Sequence, residues 1–333
     1  MVDADALDRV AVETAFSGVV RIDVDGEPPF LRAYGMADRA HGVPNSTSTQ
    51  FGVASGSKGL TALAVMRLVE LGAIELSTTA RSLLGPDLPL IDDAVTVEQL
   101  LSHRSGIGDY LDEDAPGEVT DYVMTVPVHE LATTEAFLAM LEGHANKFAP
   151  GQDFSYCNGG YVVLALLAER ATGRPFHDLV HEHVIEPAGL SDTEFLRMDE
   201  LPGTVAVGYL EATGLRTNVL HLPVRANGDG GIFTTAADVH ALWAAFFAGR
   251  IVSSSWVVEM VRPRSQLPSG SHRYGLGFWL GGTSDAVQLE GCDPGASFRS
   301  THRPSEGITC TVLSNTSAGA WPILDHLANE LIL

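Results

Sequence analysis

The run from Ser55 to Leu71 sets the first constraint on this chain: Ser55-Gly-Ser-Lys58-Gly-Leu-Thr-Ala-Leu-Ala-Val-Met-Arg-Leu-Val-Glu-Leu71. It reads as a helix stopped by Gly72, and it is apolar nearly all round. A helix with no polar face has to be surrounded by other elements. At its head stands a Ser-x-x-Lys tetrapeptide. Positions i and i+3 share a helix face, so the Lys58 amine reaches the Ser55 hydroxyl. Free N–H groups and the dipole at a helix N-terminus favour a developing anion. Lys58 is one of two lysines among twenty Lys and Arg residues, the other being Lys147. A guanidinium keeps its proton in a protein, whereas an ε-ammonium gives its proton up once desolvated. A serine hydroxyl is a weak nucleophile until a neighbouring base takes its proton, and a buried Lys58 is such a base. An arginine-rich codon bias explains the scarcity of lysine equally well, but not its position.

At 333 residues the chain is long enough for one large domain or two interleaved ones. Its formal net charge of −22 is repelled by nucleic acid and by anionic lipid, which excludes both as expected partners. No apolar segment reaches the 18 or so residues of a membrane span. The N-terminus shows no signal peptide, so a cytoplasmic location is expected. The three cysteines, Cys157, Cys292 and Cys310, lack CxxC spacing, which argues against a disulfide framework or a zinc site. His177, His181 and His183 read as a solvated helix face, and neither metal nor cofactor is expected. Helices are predicted over 3–13, 55–71, 95–101, 134–141, 159–171, 176–185 and 321–333. Strands are predicted over 16–24, 31–36 and 204–209 and again after Tyr274, most clearly over 287–290 and 308–315. The picture is an α/β domain built from 1–75 and 225–333, with a mainly helical insertion over 76–224. The site would lie at their interface.

A second candidate base follows in Phe148-Ala-Pro-Gly151-Gln-Asp-Phe-Ser-Tyr156-Cys-Asn158-Gly-Gly-Tyr161, just ahead of another apolar helix. Alone, Tyr156-x-Asn158 fits a core tyrosine beside a capping asparagine as well as a tyrosine aimed into a cleft. Behind Ser-x-x-Lys, the chain resembles the serine β-lactamase and penicillin-binding-protein superfamily. The similar branch holds class C β-lactamases, D-aminopeptidases and family VIII carboxylesterases. The resemblance takes in Leu100-Leu-Ser-His103-Arg-Ser105-Gly106-Ile107 and Glu186-Pro-Ala-Gly189-Leu-Ser-Asp192-Thr193. It continues through Gly230-Gly231 with Thr235 and Asp238, Tyr274-Gly275-Leu-Gly277-Phe278, Gly291-Cys-Asp-Pro294-Gly295 and Ser314-Asn315. It implies an α/β (α+β) fold, with an antiparallel sheet flanked by helices and a helical inserted domain. It also implies acylation of Ser55, a proton shared by Lys58 and Tyr156, and Asn158 on the substrate. The oxyanion hole would be the backbone N–H groups of Ser55 and Cys292.

The third motif of that superfamily is Lys-Thr-Gly or His-x-Gly, and here the same positions read Leu289-Glu290-Gly291. With its cation lost, and Glu290 expected at the site edge, substrates bearing a carboxylate should be repelled. The acids Asp109, Asp112, Glu113, Asp114, Glu118 and Asp121 would add to an anionic mouth, although a chain of charge −22 carries acidic loops for no such reason as well. Feeble β-lactamase activity and neutral or cationic small-molecule or peptide substrates follow as expectations. The function expected is a serine hydrolase acting on an ester or amide. A transacylase on the same scaffold and a non-catalytic binding or sensing module are the competing readings, and oligomeric state is left open.

Overall fold

The computed structural model describes residues 2–115, 117–267 and 272–331. Its centre is an eight-stranded sheet in which every pairing is antiparallel. In spatial order the strands are Phe30–Tyr34, Gly18–Val24, Ile308–Ser314, Ala296–Arg303, Val287–Asp293, Trp279–Gly281, His272–Tyr274 and Ser265–Gln266. All of them come from the two ends of the chain. The pleat sends successive residues to opposite faces, and the two cores follow that alternation. Val19, Leu289, Phe298 and Leu313 join the larger core, whereas Val20, Ile22, Cys310 and Val312 join a smaller one. The terminal helices Ala4–Glu13 and Ala320–Leu331 cover the smaller core through Leu7, Ala11, Ile323 and Leu327.

The larger core surrounds the helix Ser57–Glu70, whose residues from Ser57 to Met66 are all buried, as its missing polar face requires. A second such helix, Asn158–Thr172, packs against it, with the short helices Ala80–Leu84, Val97–Leu101 and Phe176–Val180 around the pair. The expected elements therefore form, with two exceptions. Residues 204–209 make only isolated bridges, Val205 with Gln50 and Tyr209 with Thr217 and Thr316, and no strand. The 134–141 segment splits into a 3-10 turn, Thr134–Phe137, and one helical turn, Leu138–Leu141. Strand Ala296–Arg303 is among the strands expected after Tyr274, and helix Ala236–Phe247 forms in addition to the expected elements. Among the described residues no helix is long and apolar enough to cross a membrane.

Several motif segments turn out to support the fold. Asp238, in the first turn of the 236–247 helix, accepts the Asp192 N–H and the Thr193 hydroxyl, both at 2.7 Å. Asn315 donates through its side-chain amide to the carbonyls of Met36 and Val207, at 3.0 and 2.9 Å. His177 is buried and hydrogen-bonds the Ala226 carbonyl at 2.8 Å, which corrects its reading as a solvated residue.

Candidate active site

Strand Phe51–Gly52 delivers the chain into a 3-10 turn, Ala54–Gly56, that leads directly into the 57–70 helix. Ala54 has φ of 48°, a left-handed conformation costing an L-residue roughly 1–3 kcal/mol. Neighbouring contacts hold it there. The Ala54 carbonyl accepts from Gly231 N at 3.1 Å and from the Ser57 hydroxyl at 2.9 Å. The Ser57 hydroxyl in turn accepts from Ile232 N at 2.9 Å. Ser55 is thus presented, partly exposed, on a turn pinned by the 228–232 segment.

Lys58 is only 2% exposed, and its Nζ lies 2.8 Å from Ser55 Oγ, 2.7 Å from Asn158 Oδ1 and 2.7 Å from the Asp229 carbonyl. Asn158 cannot present its other end, because its Nδ2 already donates to the Leu111 carbonyl at 2.9 Å and to Glu113 at 3.1 Å. Two of the three contacts are therefore pure acceptors and take two N–H groups. What remains of the amine, a third N–H or a lone pair, points at the Ser55 oxygen. Burial pushes the Lys58 pKa below its ordinary value, while Asp229, Glu113, Asp293 and Asp109 pull it back up. The other lysine differs throughout: Lys147 pairs with Asp112 at 2.7 Å and Asp114 at 3.4 Å on the surface.

Tyr156 comes from the loop before the 158–172 helix, and the 100–107 segment shapes that loop. His103, at φ of 55°, accepts the Cys157 N–H on Nδ1 at 3.1 Å, and its carbonyl accepts from Ser155 N at 3.0 Å. The His103 ring lies 4.3 Å from that of Tyr156, whose other neighbour, Trp279, is stacked at 5.7 Å. The Lys58 amine sits 4.9 Å from the Tyr156 ring centre. Burial and the charge of Glu113 drive the Tyr156 phenol well above its ordinary pKa, against the lowering effect of its hydrogen bond with Ser55. Both raising effects favour the phenol over the phenolate. Asp109 anchors the helix by accepting the N–H groups of Asn158 at 2.6 Å and Gly159 at 2.8 Å. Burial raises its carboxyl to about 6, against those hydrogen bonds.

Two expected site residues lie outside the lining of the cleft. Leu289 is 4% exposed and belongs to the larger core. Glu290 is ion-paired with Arg299 and accepts from Gln288 Nε2 at 3.0 Å. Arg299 lies over the ring of Trp321, on the sheet face that the C-terminal helix covers. Side-chain alternation explains this correction: with Gly291 packed against Ser55, residue 290 must point away and residue 293 must point in. Cys292 shares the outward face and its thiol donates to the Ser317 carbonyl at 3.3 Å. Most of the acidic loop is likewise spent on structure: Asp109 caps a helix, Asp112 and Asp114 pair with Lys147, and Glu113 alone meets the Asn158 amide.

The carboxylates that do border the nucleophile are Asp229 and Asp293, which line one cavity together with Ser55, Asn158 and Gly230. Asp229 accepts the Tyr110 hydroxyl, and burial raises its pKa. Burial lifts Asp293 to about 7, with Lys58 opposing and the charges of Asp229 and Glu113 assisting. The remaining walls are largely apolar, including Met124, Leu196, Met198, Leu201 and Leu222. Sequence reasoning missed Asp229 and Asp293. The signal for Asp293 was present, two residues beyond Gly291 on an alternating strand. Among the described residues no cluster of three His, Cys, Asp or Glu side chains has the arrangement of a metal site.

The family model described as Beta-lactamase matches residues 4–331. The chain is 27% identical over 310 residues to the putative penicillin-binding protein PbpX of Bacillus subtilis, covering 92% of this chain and 73% of that one. It is 34% identical over 209 residues to esterase EstB of Burkholderia gladioli, covering 61% of this chain and 52% of EstB. The crystal structure of a penicillin-binding protein from Bacillus halodurans superposes with a TM-score of 0.90 at 31% identity, covering 98% of this chain and all of that one. With nearly its whole length matched and the sheet, helices and Ser55–Lys58 pair in their expected places, the chain belongs to the Beta-lactamase family and has the fold of its serine hydrolases.

Proposed function

We propose that this protein cleaves an ester or amide through a covalent acyl-enzyme on Ser55. The observation that carries the reading is the Lys58 amine, buried, 2.8 Å from Ser55 Oγ, with its other two contacts taken by acceptors that cannot give a proton. In the neutral form its lone pair faces the serine hydroxyl. Lys58 takes the Oγ proton as Oγ attacks the carbonyl carbon. The resulting oxyanion is held by the backbone N–H groups of Ser55 and Cys292, each worth about 3–4 kcal/mol in such sites. The Tyr156 phenol, kept protonated by its surroundings, passes a proton to the departing alkoxide or amine and is reprotonated from Lys58. Water then repeats the sequence on the acyl-serine and regenerates the free hydroxyl. Asn158 positions Lys58, and the second lone pair of its Oδ1 is what it has left to accept a substrate N–H. The two-part organisation belongs to the same reading: both chain ends supply the sheet side of the cleft, and 76–224 supplies the helical side. EstB is an esterase, which supports ester substrates.

Intact-mass spectrometry after exposure to a fluorophosphonate tests the reading. A single adduct is expected, mapping to the peptide that contains Ser55 and absent from Ser55→Ala. A folded protein that takes no adduct, or takes it elsewhere, overturns it.

The carboxylates around Lys58 give a pH prediction with a definite sign. Glu113 helps hold the ammonium form, so Glu113→Gln removes a charge while keeping an acceptor for Asn158 Nδ2. The Lys58 pKa should fall further, and the acid limb of kcat/KM should move to lower pH. A limb that stays in place or moves to higher pH would show that Lys58 is not the titrating base.

A further inference from the structure

We infer that Asp293, together with the open space over Gly230, is the ammonium subsite of this cleft. The substrate is accordingly an apolar ester or amide carrying an amine close to its scissile carbonyl. The inference rests on the acyl-enzyme reading of Ser55 and deepens it.

Three observations converge on Asp293. The first is direction: along the strand Val287–Asp293, residues 289, 291 and 293 share the face that meets Ser55, so this carboxylate enters the cleft where Glu290 does not. The second is that the carboxylate is uncommitted. Asp229 has the Tyr110 hydroxyl, Asp109 has two backbone N–H groups and Glu113 has the Asn158 amide. Asp293 has no hydrogen-bond or ion-pair partner of its own among the described residues. It faces only the more distant charges of Lys58, Asp229 and Glu113. A carboxyl without a counter-ion beside two other acids holds its proton up to about pH 7, and a bound cation supplies the missing partner and draws out its ionised form.

The third observation is room in the right place. A Cβ built on Gly230 would lie 3.7 Å from Asp293 Oδ2 and 3.5 Å from the carbonyl carbon of Ala54, the atom bonded to Ser55 N. Glycine leaves that volume empty, so a substrate group can occupy it while touching both the carboxylate and the nucleophile turn. The cavity offers little to the opposite charge. Its described lining holds no lysine or arginine, and His221 is its only basic side chain. Beyond the acidic floor, Met124, Leu196, Met198, Leu201 and Leu222 offer an apolar wall for a hydrophobic side chain. A charge-assisted contact of this kind discriminates by roughly 10–100-fold between a cation and its neutral isostere.

The test compares kcat/KM for three p-nitroanilides or p-nitrophenyl esters of one shape: phenylalanyl (ammonium), 3-phenylpropanoyl (neutral) and benzylmalonyl (carboxylate). They are assayed on the full chain, on Asp293→Asn and on Gly230→Ala. The wild type should prefer the ammonium substrate over the neutral one by roughly 10–100-fold and reject the carboxylate. Asp293→Asn should bring the ammonium-to-neutral ratio close to one. Gly230→Ala meets only ordinary contacts in the fold, yet it fills the space beside Asp293, and it should lower the same ratio. A wild-type ratio near one, or a ratio that survives Asp293→Asn, overturns the inference. If Ser55 still takes the fluorophosphonate in that case, the acyl-enzyme reading stands and only the ammonium subsite falls. Absence of both turnover and adduct removes the two together.

Discussion

Lys58→Met is expected to lower kcat/KM for any turned-over substrate by roughly 10²–10⁴-fold, the usual contribution of a positioned general base. Methionine fills the volume of the lysine stem but has neither proton nor lone pair for Ser55 Oγ. Loss of the amine also strands two buried acceptors, Asn158 Oδ1 and the Asp229 carbonyl. Each unsatisfied acceptor costs about 1–3 kcal/mol, which is offset because a buried ammonium no longer has to be desolvated. Lys58 also lowers the pKa of Asp229 and Asp293, so both carboxyls should rise further in the variant. A melting curve close to that of the wild type, with fluorophosphonate labelling slowed in parallel with kcat/KM, separates lost chemistry from lost fold. Lys58→Arg is the sharper companion, because it keeps the charge but cannot shed a proton at any accessible pH. It should be as inactive as the methionine variant. Retention of more than about a tenth of wild-type activity in Lys58→Arg would mean that Ser55 is activated by another group, and Tyr156 would then be the one to pursue.

The reach of the sequence follows from which physical rules act locally. Ser-x-x-Lys is a local statement: i and i+3 on one helix meet whatever surrounds them, so the 2.8 Å contact was legible before any fold was known. The buried character of the 57–70 and 158–172 helices was equally legible, since neither has a polar face to turn to water. Glu290 was misplaced by one step of a period-two pattern. Counting back from Pro294-Gly295 found the strand correctly but gave no side. Side follows only from knowing that Gly291 touches Ser55, and that contact joins residues far apart in the chain. Asp229 was illegible for another reason. Its backbone carbonyl, not its side chain, accepts the Lys58 hydrogen bond, and a backbone acceptor leaves no mark on residue type. The 204–209 run has strand composition, but it finds partners only at isolated bridges, because tertiary placement overrides β-propensity.

Gly291→Ala should be the most damaging change available in the third-motif strand, although it adds a single methyl. An ideal Cβ at residue 291 would lie 2.3 Å from the Val53 carbonyl oxygen, 2.6 Å from Ser55 N and 2.8 Å from Gly56 N. All three are backbone atoms, so no side chain can swing aside. Neither wall is free to yield. The nucleophile turn is pinned through Ser57, Gly231 and Ile232. The strand is paired along its other edge from Val287 with His302 to Asp293 with Ala296. Relief has to come from the gap between strand and turn, the gap across which the Ser55 and Cys292 N–H groups would meet an oxyanion. A loss of about 10²–10³-fold in kcat is expected, the effect of losing one such donor, with a smaller change in KM. Overpacking of about 1–3 kcal/mol should also lower the Tm by a few degrees. Cys292→Ala is the control: its side chain points to Ser317 on the other face and only its backbone N–H is called upon, so activity should stay within a few-fold. Near-normal turnover in Gly291→Ala would remove the oxyanion hole from this edge of the sheet. A severe loss in Cys292→Ala would instead make the thiol, not the amide beside it, the group that matters.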